Sequence, residues 1–195
     1  MSEQNNTIGE RARGLRLKKR MSTEDLSRLS GIPTATLLGI EDETISPPLG
    51  NIVSLAKALE VAVGDILGGS ADSSFCIVRN DNRETVSRFS STGKSGGYSY
   101  QPLGLQKQNR HMEPFHVTLT PTEASLAQPN QHAGEEIIFV LTGQVEVTLS
   151  EHTDILNPGD SIYFDSNLPH IVACHGEEPA SIFAVIYAEK EMMIF

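Results

Sequence analysis

The sequence predicts a two-domain protein, α plus all-β. An N-terminal bundle of five short helices occupies 1–69, an all-β unit occupies 75–195, and residues 70–74 link them. Three observations carry this. Apolar residues recur at three- and four-residue spacing as far as Leu67, that periodicity stops at the small polar stretch GGSADSS (68–74), and alternation at period two follows it. A chain of 195 residues is long enough for two small hydrophobic cores.

In the first helix Ile8, Ala12 and Leu15 form the inner stripe. Six of the ten residues from 11 to 20 are basic (Arg11, Arg13, Arg16, Lys18, Lys19, Arg20) and fall on its other faces. Ser22 with Asp25 makes an N-terminal cap for a second helix, whose Leu26 and Leu29 are expected to face inward and which Gly31 stops. Pro33 fits the first position of a third helix with Leu37 and Ile40 buried. A fourth begins near Pro48 with Leu49, Ile52, Leu55, Ala56 and Leu59 inward, and a last turn around Gly64–Leu67 closes a compact bundle.

Beyond residue 74, Val145, Val147 and Leu149 alternate with polar residues. IIFVL (137–141) and IFAVIY (182–187) are short apolar runs, and LTG, NPGD and HGEEP supply turn chemistry between runs. Many short antiparallel strands of this kind suit a double-sheet jelly roll, which limits exposed edges and encloses a pocket. STGKSGG (91–97) reads as a loop or hairpin tip.

The net charge of −10 is unevenly spread. Residues 1–69 hold eight Lys/Arg against nine Asp/Glu, while 70–195 hold seven against sixteen. The acidic β half is a poor partner for nucleic acid, whereas the first helix keeps a local positive patch. Cys76 and Cys174 lie far apart without metal or redox spacing, which fits a reducing cytoplasm. The N-terminus has no apolar signal core, and no run approaches the roughly 20 apolar residues that span a bilayer, so a soluble cytoplasmic protein without membrane contact is expected.

One constellation in the β half carries chemistry. His132 precedes Glu136 by four residues, and His170 ends PGDSIYFDSNLPH (158–170), all three on expected strands. Two imidazoles and one carboxylate suit a divalent metal (Fe, Mn, Ni or Zn) with open coordination positions; the alternative is a metal-free pocket where the same groups hydrogen-bond an organic ligand. Asn130 is a pocket candidate. Tyr98, Tyr100, Met112, Phe115, Tyr163 and Phe164 fit either the pocket mouth or core packing, and core packing is the expectation for any one of them. Glu135, beside Glu136 on an alternating strand, is expected to face solvent. His111, His116, His152 and His175 lack ligand spacing and are expected on the surface or in loops.

IGERARGLRLKKRMSTEDLSRLSGIPTATLLGIEDE resembles the helix-turn-helix head of the phage-repressor-like regulators (XRE, Cro/cI-type) over roughly residues 8–67. The resemblance implies that Thr34, Ala35 and Thr36 open a recognition helix and that Thr23, Arg16, Lys18, Lys19 and Arg20 face phosphates. The third helix departs from the pattern. Residues 33–40 contain no Arg, Asn or Gln for bidentate base reading, Leu38 and Gly39 stand where polar residues are usual, and Glu43 replaces a glycine. A head kept only for structure or dimerisation is the alternative.

HAGEEIIFVLTG and LNPGDSIYFDSNLPH resemble the two cupin motifs, with Gly143, Pro158, Gly159 and Asp160 at turn positions and Asn130 where the full pattern has another histidine. The domain order resembles regulators with a repressor-like head and a C-terminal cupin sensor. It implies a dimeric, sequence-specific DNA-binding protein whose cupin pocket binds a small-molecule effector. HAGEE and NLPH also resemble two-domain cupin oxidases and epoxidases of the hydroxypropylphosphonate epoxidase type, in which the three residues form an iron-binding facial triad.

Overall fold

The computed structural model describes residues 7–68, 74–89, 95–121 and 129–187. Contacts divide the chain into a helical unit running to Cys76 and a β unit from Ile77, with Phe89 and Leu105–Asn109 grouped with the helical unit. Most of the expected linker lies outside the described residues.

The helical unit contains α1 (Ile8–Lys18), α2 (Thr23–Ser30), α3 (Thr34–Glu41), α4 (Leu49–Ala58) and α5 (Val63–Leu67). Thr7 with Glu10 and Ser22 with Asp25 form reciprocal caps that satisfy the first amides of α1 and α2, and Gly31 ends α2 at φ 72°. Pro33 precedes α3 and Pro48 precedes α4 as N-caps. Ala12, Leu26, Ile32, Leu37, Ile40, Ile52, Leu55 and Leu59 form the core. The buried face of α1 is Gly9, Ala12 and Arg16, one step round from the expected Ile8–Ala12–Leu15 stripe. A side chain on Gly9 would strike the Ile40 carbonyl oxygen, so this position sets how closely α1 approaches α3. Leu29, expected inward, is 55% exposed because Leu26 and Ile32 already fill that side of the core.

The β unit is a double-sheet jelly roll of antiparallel strands. One sheet has the order β1 (Val86–Phe89), β2 (Ser95–Pro102), β3 (Met112–Leu119), β9 (Ala180–Tyr187), β4 (Glu135–Thr142), β7 (Ser161–Asp165); the other has β6 (His152–Leu156), β5 (Gln144–Leu149), β8 (His170–His175). Ser95–Gly97 belong to β2, which corrects the reading of 91–97 as wholly loop, while 91–94 lie outside the described residues. Alternate residues of four strands point inward: Phe115, Val117 and Leu119 from β3; Ile138 and Val140 from β4; Val145 and Val147 from β5; Ile182, Ala184 and Ile186 from β9. This two-residue period also places Glu136, in phase with Ile138 and Val140, on the inner face.

Gly143 turns β4 into β5 at φ 72°, and a Cβ there would lie 2.7 Å from the Ala180 Cα. Gly143→Ala is therefore expected to destabilise the β unit by more than about 1 kcal/mol, since both backbone conformation and space oppose it. Urea unfolding of the variant checks this; a midpoint equal to that of the parent would contradict it.

Candidate metal centre and DNA-reading face

Backbone pairing brings the three expected ligands together. His170 opens β8 and its backbone exchanges hydrogen bonds of 2.7 and 2.9 Å with Asn130. Two residues further on, the His132 amide donates to the Ser166 carbonyl at 2.9 Å, and the Ser166 amide donates to the Gly134 carbonyl at 2.9 Å. Glu136 pairs with Phe164 across β4 and β7. Thus the loop carrying His132 is tied to the end of β7, and the segment before it is tied to β8.

His132, Glu136 and His170 are 5, 8 and 3% exposed. The Glu136 Oε2 lies 3.4 Å from His132 Nε2 and 3.9 Å from His170 Nε2, and one donor atom from each residue falls within 4.8 Å of the others. The two imidazoles meet edge to face at 5.3 Å, and Phe164 packs 5.1 Å from His170. Metal ligands sit about 2.0–2.2 Å from an ion, which needs donors roughly 3–4 Å apart; a small side-chain adjustment closes the set. The tautomer fits as well. His170 Nδ1–H donates to the Leu168 carbonyl at 2.8 Å, which leaves the Nε2 lone pair facing Glu136. Burial lowers the His170 pKa and so favours the neutral, ligand-competent ring, against smaller raising effects from the Leu168 hydrogen bond and Glu136. The residues present therefore suit a divalent cation.

Other expectations for the pocket fare differently. Asn130 is half-buried and contributes its backbone to β8. Tyr100 is fully buried, 5.8 Å from Phe115 in an edge-on contact, in keeping with the core-packing alternative; Tyr98 is half-buried beside it at 6.3 Å. Met112 and Tyr163 are 60 and 63% exposed on outward-facing positions. The Tyr163 hydroxyl donates to Glu135, which raises the tyrosine pKa and leaves Glu135 half-buried. His111 and His152 are exposed, whereas His116 lies half-buried on β3 and His175 stands 3.5 Å from Glu146 at the end of β8. Two polar features go beyond the sequence reading. Glu113, in phase with Phe115 and Val117, is buried against Arg110 at 2.8 Å; desolvation raises its pKa and the guanidinium opposes that rise. The strand period is the signal that could have found it. Ser166 is fully buried with its Oγ unpartnered among the described residues.

In the helical unit α2, the turn at Gly31 and α3 form the helix-turn-helix pair. Ala35 is exposed, while Thr23, Thr34 and Thr36 are half-buried. Lys18 and Arg20 are exposed, and Lys19 reaches Glu60 at 2.9 Å. Arg16 departs from the phosphate-facing expectation. It is 8% exposed, its Nε and Nη2 grip Glu41 at 2.6 and 2.7 Å, and its Nη1 donates to the Met21 carbonyl at 3.0 Å. The hydrogen bonds to Glu41 hold its pKa above the usual arginine value. It is a strut between α1 and α3, because it falls in helical phase with Gly9 and Ala12.

Residues 13–72 match the family model of the Cro/C1-type HTH DNA-binding domain, and residues 115–186 match that of the cupin domain. The chain thus carries a Cro/C1-type helix-turn-helix DNA-binding domain followed by a cupin domain. Among individual proteins it is similar to the HTH-type transcriptional regulator PuuR of Escherichia coli (strain K12), 22% identical over 172 residues that cover 87% of this chain and 89% of PuuR. Its fold is similar to that of an HTH_3 family transcriptional regulator from Vibrio cholerae (TM-score 0.65, 22% identity, 94 and 96% coverage). It is also similar to that of hydroxypropylphosphonic acid epoxidase from S. wedmorenis (TM-score 0.51, 22% identity, 92 and 96% coverage).

Proposed function

We propose that this chain is a cytoplasmic, dimeric transcriptional regulator that reads DNA with α3 and whose cupin pocket changes its DNA affinity. His132, Glu136 and His170 hold a divalent cation there, and a small-molecule effector completes its coordination. The observation that carries the sensing half is the burial of two imidazoles and a carboxylate around one point. The reading half rests on the match of residues 13–72 to a DNA-binding domain model. A dimer follows from helix-turn-helix geometry, because each head reaches only one half-site of a symmetric operator. Effector binding acts by favouring one of two arrangements with different DNA affinity. Among the described residues no helix is long and apolar enough to cross a membrane.

Lys18 and Arg20 are the cations assigned to phosphates, with Thr23 at the start of α2 and Thr34, Ala35 and Thr36 at the start of α3. Lys18→Glu with Arg20→Glu should weaken binding to every duplex alike. It should also flatten the dependence of log affinity on log salt by about 0.9 for each phosphate left without its cation. Equal salt slopes for variant and parent would place phosphate binding elsewhere.

A second reading is favoured by the same three residues. A facial set of two histidines and a carboxylate leaves positions for substrate and oxygen on iron(II), as in a mononuclear oxidase or epoxidase. Metal analysis of protein purified without a histidine tag, beside a gel shift on its own upstream DNA, separates the two. DNA retardation supports the regulator. Bound iron with oxygen consumption and no retardation of DNA supports the enzyme and overturns the regulator.

A further inference from the structure

The exposed side chains of α3, Ala35 and Leu38, end in methyl groups. Its sequence, TATLLGIE, contains none of the Arg, Lys, Asn or Gln side chains that read base edges by paired hydrogen bonds. Leu37 and Ile40 turn inward with Glu41, whereas Ala35 is exposed and Leu38 is 44% exposed. Positions three and four apart share a helix face, so Leu38 stands over Ala35 and Thr34. The core does not require an outward leucine at this point, since Ile32, Leu37 and Ile40 are already buried beneath it.

Charge within α3 does not oppose a nucleic-acid partner for this apolar stripe. The single acidic residue of α3, Glu41, is buried and neutralised by Arg16, so the helix turns no carboxylate toward phosphates. Asp42, just beyond the helix, lies 3.8 Å from Arg13. In the DNA major groove the only apolar feature on a base edge is the 5-methyl group of thymine, and alanine, threonine and other apolar side chains contact it.

We propose that α3 reads thymine methyl groups through Ala35, Leu38 and Thr34, so that each half-site is selected by apolar contact and carries thymine at the positions under these residues. This rests on the DNA-binding reading above. Leu38 thereby becomes a specificity-determining residue in place of the usual hydrogen-bonding side chain.

The test uses the full chain and a pool of random duplexes. The recovered consensus is resynthesised with each thymine replaced in turn by uracil, which removes only the methyl. Burial of one methyl gives about a fourfold change in affinity, so at least one uracil per half-site should weaken binding by about that factor. Leu38→Ala should bind thymine and uracil equally at one such position and keep its discrimination elsewhere. Equal affinity for every uracil-substituted duplex, or a consensus without thymine in its half-sites, would overturn the proposal. A Leu38→Ala variant that changes self-association in ultracentrifugation and leaves base preference intact would assign the face to a protein partner and overturn it also. Failure of the chain to retard any duplex would remove the DNA-binding reading itself, and this inference with it.

Discussion

Arg16→Met is expected to cost the helical unit about 3–5 kcal/mol, because it leaves the Glu41 carboxylate buried without its cation. The pair is almost fully enclosed, with side-chain exposures of 10 and 3%, and the guanidinium also satisfies the Met21 carbonyl. Replacing both partners with methionine removes the orphaned charge, so the double variant should recover most of the loss. Far-UV circular dichroism during urea unfolding follows this unit, since all five α-helices among the described residues lie within it. A loss below about 1 kcal/mol for the single variant would contradict a buried pair and return Arg16 to the solvent-facing cations. In DNA-binding assays, any loss of affinity on substituting Arg16 then reports an unfolded head and not a missing phosphate partner, which is why Lys18 and Arg20 are the informative positions.

His170→Ala is expected to have the largest effect in the β unit. Deleting a group that merely orients a metal ligand lowers metal affinity about 10–100-fold, and removal of one of three protein ligands should exceed the upper end of that range. The hydrogen bond from Nδ1 to Leu168 is lost together with the Nε2 donor. Backbone pairing of His170 with Asn130 does not depend on the side chain, so β8 should stay in place. Cobalt(II) titration followed by its ligand-field absorption reads the effect. Unchanged cobalt affinity in His170→Ala, with the β unit still folded, would show that the three donors do not act together.

Much of the fold is legible in the sequence because it depends on local periodicity. Caps at Ser22 and Asp25, the stop at Gly31 and the turn at Gly143 follow from one or two residues each, and the alternation in β4 puts Glu136 on the same face as Ile138 and Val140. The convergence of His132 with His170 is expected from the cupin motifs, while the pairing that achieves it spans Asn130 to His170 and has no local pattern. The departures share a cause. Arg16 stands among basic neighbours, yet its helical phase with Gly9 and Ala12 puts it inside; a partner 25 residues away makes that burial tolerable. A carboxylate at an inward strand position, as at Glu113, is expensive unless a neighbour such as Arg110 compensates it, and residue type alone points it outward. In each case tertiary partners override what residue type implies.

If the site of His132, Glu136 and His170 governs what α3 does, metal occupancy must change DNA affinity. Fluorescence anisotropy of the full chain on its selected duplex tests this most directly, measured on metal-stripped protein and on protein loaded in turn with manganese(II), iron(II), nickel(II) or zinc(II). Coupling between sites of this kind is typically about 5–150-fold in affinity. A change in that range is expected for at least one metal, with no change in His170→Ala. Equal DNA affinity for stripped and loaded protein with every metal would contradict control of α3 by the metal centre.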